Sequence, residues 1–264
     1  MPSITDPARE LSDLIRGMAI DPNVRMDRGL ATLFDVPAWS SDFYQIIFSI
    51  SSRIDELINL TDDLALDDDY KIEIKDSLGE IQTAFGPSGL NNNFSHSRQL
   101  YLSAANVSPL SALSGLVRQM RAYPRLDADE QQELVTLVDE LISWLEDHQL
   151  SEQDFIRQAL VEGLERMAFR LERIKWFGWG YTLESLREVI SAYFALERAT
   201  PQDGSNPPAE AMIKFVSQFV SNFLSKAGLA KDAYETGDFM LKAYGAIQLL
   251  LAGKSTIAGL LTHG

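Results

Sequence analysis

A chain of 264 residues with 38 Asp/Glu against 23 Lys/Arg carries a formal net charge of −15, and 45% of its residues are hydrophobic. That apolar share supports a packed core, so disorder is not the default, and the length suits one large helical domain or two modest ones. The absence of cysteine excludes disulfides, thiolate catalysis and Cys-ligated metal centres.

The opening residues Met1–Pro7 have neither a basic start nor an apolar core, so no secretory signal is expected there. Asp6 reads as an N-cap with Pro7 behind it, opening a helix with Leu11, Leu14, Ile15 and Met18 on one face. A short helical run follows Asp21-Pro22 and reaches Phe34. Ser40 or Ser41 then begins a long pattern through Phe43, Ile46, Ile47, Ile50, Ile54, Leu57, Ile58 and Leu64. Asp67–Asp69 supply the next N-cap and an acidic first turn, which suits the positive end of the helix dipole. That helix carries Ile74, Leu78, Ile81 and Phe85 and stops at Gly86-Pro87.

Residues 87–94 read as a loop and a candidate domain boundary. Helical patterns resume over 98–106 and again from Ser108-Pro109, and Asp127 with Glu130 forms a capping box for the helix through Leu145. From Ser151 two amphipathic patterns flank Trp176-Phe177-Gly178-Trp179-Gly180-Tyr181, with Thr182 as N-cap of the second. This predicts an antiparallel helical hairpin whose aromatic tip is either buried or held out for a partner. Ala199–Pro208 is the second expected loop. A helix with Met212, Val216, Phe219 and Phe223 ends at Gly228, and residues 238–264 are apolar and Gly/Ala-rich. The expected fold is all-α, an irregular bundle of nine to eleven helices without significant sheet. Its regions would be 1–86, 95–198 and 209–264, packed as one globular unit.

Charge is uneven. Residues 1–150 hold 11 Lys/Arg against 25 Asp/Glu, a net of −14, whereas residues 151–264 hold 12 against 13. Such an acidic half repels phosphate backbones and anionic headgroups, so direct nucleic-acid binding is not expected; a basic protein partner, a divalent cation or simple solubility would each account for the charge.

The chemical motifs are sparse. Gly253-Lys254-Ser255-Thr256 lacks the earlier glycine of a phosphate loop, since Gln248 stands in its place. His96, His148 and His263 form no metal-ligand spacing. Asp62, Asp63 and Asp67 combine adjacent carboxylates with another a turn later, a spacing that can share Mg²⁺ on a diphosphate. This resembles the aspartate-rich motif of all-helical isoprenoid synthases. Asp139-Glu140 through Asp147 is distantly similar to the second metal site of terpene cyclases, with Glu140 and Asp147 departing from the usual residues. The resemblance implies a Mg²⁺-dependent enzyme acting on a diphosphate.

The expected role is a non-catalytic interaction protein without cofactor: an adaptor, regulator or immunity-type inhibitor, bacterial-type and cytoplasmic. It would bind a protein partner through the acidic residues Asp67, Asp68, Asp69 and Glu73, the aromatic group Trp176, Phe177, Trp179 and Tyr181, or both. A homo-oligomer is compatible with this. The alternatives are the diphosphate enzyme and a membrane-active effector using the C-terminal helices. Lys242 and Lys254 bracket only 11 residues there, too short for a spanning helix.

Overall fold

The computed structural model describes residues 4–150, 154–201, 205–227, 229, 240 and 243–247. Its described part is all-α. Eleven helices have described bounds, and residues 243–247 add a helical run, one above the expected range. The only strands among the described residues are the two-residue pair Ile4–Thr5 (β1) and Tyr123–Pro124 (β2). The chain forms two compact units. One is Thr5–Ala122 with the short segment Lys175–Gly178; the other is Tyr123–Ile174 and Trp179–Gly264 with Met1–Ile4.

The first unit contains α1 (Pro7–Arg16), α2 (Met26–Phe34), α3 (Ser41–Asp63), α4 (Asp68–Phe85), α5 (Pro87–Asn91), α6 (Phe94–Leu100) and α7 (Ala104–Met120). Local signals start these helices where the sequence indicates. Asp6 accepts the Arg9 amide at 2.9 Å and Ser40 accepts the Phe43 amide at 3.2 Å. Asp6 also ties α1 to α7: fully buried, it accepts from Ser114 Oγ at 2.6 Å and from Arg118 Nη2 at 3.2 Å. Helix α1 packs on α7 and α3, and α4 packs on α3, α5 and α7. The apolar stripes of these helices, including Leu11, Phe34, Phe43, Ile50, Ile54, Ile81 and Phe85, are buried. Each such side chain contributes about 1.5–3 kcal/mol by leaving water.

Two features of this unit differ from expectation. The stretch 87–94 is not a domain boundary: Pro87 occupies the first turn of α5, where a missing amide hydrogen is harmless, and the unit continues to Ala122. Helix α7 begins at Ala104, capped by Ser103, and carries Pro109 inside it. Proline so near the start of a helix removes one amide donor, and the Ala105 carbonyl it would have served accepts from Ser108 Oγ at 3.3 Å.

The second unit contains α8 (Ala128–Asp147), α9 (Asp154–Glu172), α10 (Ile174–Ala199, apart from its Lys175–Gly178 segment, which belongs to the first unit) and α11 (Pro207–Lys226), with α8 packed on both α9 and α11. The capping box is present: the Glu130 amide donates to Asp127 at 2.8 Å and the Asp127 amide to Glu130 at 2.9 Å. The hairpin is present as well. Gly163 of α9 lies against Val189 of α10, Arg166 pairs with Glu188, and Arg170 donates to Ser185 Oγ and to the Tyr181 carbonyl. Rising numbers on one helix meet falling numbers on the other, which is antiparallel packing. The 199–208 connection lies within this unit, so the regions 1–86, 95–198 and 209–264 do not match the observed units. The helix start expected at Ser151, Gly228, the Gly253–Thr256 motif, His263 and most of 238–264 lie outside the described residues.

Candidate interaction surface

The aromatic segment is not a loop. Helix α10 begins at Ile174 and is broken once, at Gly178, with φ 75° and ψ 169°. Its second arm resumes at Trp179, and Thr182 is buried within it rather than capping it. Trp176, Phe177 and Trp179 are 5%, 1% and 2% exposed. Trp176 packs edge-on against Phe34 in the first unit, 4.7 Å between ring centroids. Trp179 belongs to the core of the second unit with Leu183 and Leu186. Tyr181 is half-buried under the Arg170 guanidinium, 5.4 Å from its ring; burial lowers the pKa of that guanidinium. As folded, these indoles and the Phe177 ring are core, and they offer no surface to a partner.

The first unit holds the segment 175–178 through a buried arginine. Arg53 of α3, 4% exposed, donates to the Trp176 carbonyl at 2.7 Å and to Glu10 Oε2 at 3.2 Å. A Cβ at Gly178 would stand 2.8 Å from Arg53 Cζ and from Glu10 Oε2, so the close approach needs glycine as much as the backbone angle does.

The acidic candidates Asp62, Asp63, Asp67, Asp68, Asp69 and Glu73 are all exposed. Asp62 and Asp63 end α3, and Asp67 precedes α4 without a side-chain cap bond. Lys75 pairs with the Asp62 carboxylate, and Lys71 donates to the Asp62 carbonyl at 2.9 Å. Among the described residues no three His, Asp or Glu side chains converge on a possible metal position. Asp139, Glu140 and Asp147 are exposed on α8, in the other unit.

A cluster that sequence reading passed over stands at the start of α3. Tyr44 is 54% exposed and Phe48, one turn on, 68%. Trp39 lies beside them, its ring 5.9 Å from Tyr44 and 5.6 Å from Phe43, and is 41% exposed. Trp39 has φ 64°, a left-handed conformation that costs a non-glycine residue about 1–2 kcal/mol. Its Nε1–H donates to the buried Asp27 carboxylate at 3.0 Å, which Arg25 also grips at 2.9 Å. The indole is therefore fixed in place rather than loose. One stripe of α3 runs at steps of three and four through the exposed Ser41, Tyr44, Phe48, Asp55, Asn59 and Asp62, with half-buried Ser52 between; Asp42, Gln45 and Asp63 are exposed beside it. The face is aromatic at its start and acidic at its end. The available signal was position: Tyr44 and Phe48 fall off the apolar stripe of Phe43, Ile47, Ile50 and Ile54, where a buried role needs them least.

No single described helix is long and apolar enough to cross a membrane; one bent pair, α6 with α7, passes that test by length and composition. Comparison with protein-family models, curated proteins and solved structures finds no match.

Proposed function

We propose that this chain is a non-catalytic interaction protein that receives a helix of a protein partner along the exposed face of α3. The observation that carries this reading is the exposure of Tyr44 and Phe48 one helical turn apart, beside the pinned Trp39. Large aromatics give more contact energy per ordered rotamer than flexible chains, and they dominate the centres of protein interfaces. A stripe at steps of three and four is the shape that another helix packs against. The carboxylate of Asp55 farther along the stripe, with Asp67–Asp69 beyond the helix end, favours a partner that carries Lys or Arg beside its apolar residues. Steering by these exposed acids acts on association rate and weakens with salt.

The test is affinity capture from the native host at low salt, comparing the parent chain with a Tyr44→Ser/Phe48→Ser double variant. Both side chains are largely outside the core, so the variant should melt with the parent. A protein retained stoichiometrically by the parent and lost from the variant supports the reading. The same proteins retained by both, or none by either, contradicts it.

A further inference from the structure

We propose that the first unit also carries a binding site for a small soluble amphipathic anion, a phosphate or carboxylate headgroup on an apolar body. The site is a cavity of about 530 Å³ between the end of α1, the α6–α7 connection and the first turn of α7, within the size range of small-molecule sites. Its floor is apolar: Ile15, Phe94, Leu102 and Val107 are 7%, 2%, 6% and 4% exposed. Two guanidiniums stand at its rim. Arg16 donates to Ser111 Oγ at 3.0 Å, and Arg98 stands 5.9 Å from the Phe94 ring centre.

The chain has an excess of 15 acidic groups, yet no carboxylate lines the cavity. Elsewhere in the unit Arg9, Arg25, Arg53, Arg118 and Arg121 each pair with an Asp or Glu. Among the described residues Arg16 and Arg98 make no such pair, and neither does the exposed Arg28, which lies away from the cavity. Two guanidiniums at one concavity hold a phosphate or carboxylate by charge-assisted, bidentate hydrogen bonds, and low-dielectric walls concentrate their field. The first turn of α7 forms the third wall, the positive end of a 17-residue helix. The floor asks for an apolar body behind the headgroup, which separates this ligand from inorganic phosphate and from nucleic-acid backbone.

The experiment is isothermal titration of the full chain with octyl phosphate below its micelle concentration. Octanol, inorganic phosphate and phosphatidic-acid vesicles serve as parallel probes. Octyl phosphate should bind once per chain, with octanol and inorganic phosphate each at least tenfold weaker. Arg98→Ala should weaken it at least tenfold, and Ala104→Trp, which fills the mouth without altering charge, should abolish it. Arg28→Ala removes an exposed cation of the same unit that does not line the cavity, and should leave affinity unchanged. Absence of octyl phosphate binding, an unaffected Arg98→Ala, equal weakening by Arg28→Ala, or binding to vesicles alone would each overturn the proposal.

Discussion

Gly178→Ala should damage this protein far more than any neighbouring glycine substitution. A residue with a Cβ at φ 75° and ψ 169° occupies a region open essentially to glycine, at about 1–3 kcal/mol. The new methyl would also stand 2.8 Å from Arg53 and from Glu10. It must therefore loosen a largely buried ion pair, and disrupting such a pair costs about 3–5 kcal/mol when one charge loses its partner. The gain from a stiffer unfolded chain offsets less than about 1 kcal/mol. A net loss of about 4 kcal/mol follows, a large part of the stability of an ordinary domain. With a urea slope of about 2 kcal/mol per molar, the midpoint should fall by about 2 M. The assay is urea unfolding followed by hydrogen exchange in peptides of α1 and α3, which report on the first unit. Gly180→Ala is the control, because nothing lies within 4 Å of its would-be Cβ, and it should be neutral or slightly stabilising. A Gly178→Ala midpoint within 0.5 M of the parent (about 1 kcal/mol at that slope), or equal damage from Gly180→Ala, would refute the reasoning.

Other consequences can be checked singly. Arg53→Met keeps bulk but leaves the Trp176 carbonyl and Glu10 without that donor; thermal unfolding should show a loss of about 3 kcal/mol. Trp39→Phe removes the bond to Asp27 while keeping an aromatic ring, and should cost about 1–2 kcal/mol in urea unfolding. Asp127→Ala removes the capping box of α8 and should cost about 1 kcal/mol, read in the second unit's transition. Burial, with Glu197 beside it, pushes the Tyr193 phenol up to about 12. Its contribution is complete below the unfolded value near 10 and is lost as pH rises towards 12. Between those values stability should fall less steeply in Tyr193→Phe than in the parent; parallel curves would contradict this.

What the sequence made legible was local. Asp6, Ser40 and the Asp127–Glu130 pair announce helix starts because the cap and the amide it serves lie three residues apart. The apolar stripes of α3, α4 and α8 give the all-α class by period alone. The boundary at 87–94 misled because Gly86-Pro87 is equally a helix stop and a helix start, and only packing on α4 decides. The choice between burial and exposure for the aromatic segment stayed open for a long-range reason. Its burial depends on Arg53, 123 positions from Trp176, and on Phe34, neither visible from neighbouring residues. Trp39 was hidden differently, since nothing local says that Asp27 would hold its indole. Tyr44 and Phe48 were readable as aromatics on the wrong face of an otherwise regular amphipathic helix.

The central claim, that the outer face of α3 is where a partner docks, is tested most directly by photocrosslinking in the native host. A photoreactive phenylalanine would replace Phe48, 68% exposed, and in a second strain Phe155, 73% exposed. The account predicts a discrete protein adduct from position 48 and none from position 155, although the latter is the more accessible ring. An adduct from 155 alone, or silence from 48 under conditions where the chain is abundant, would contradict it.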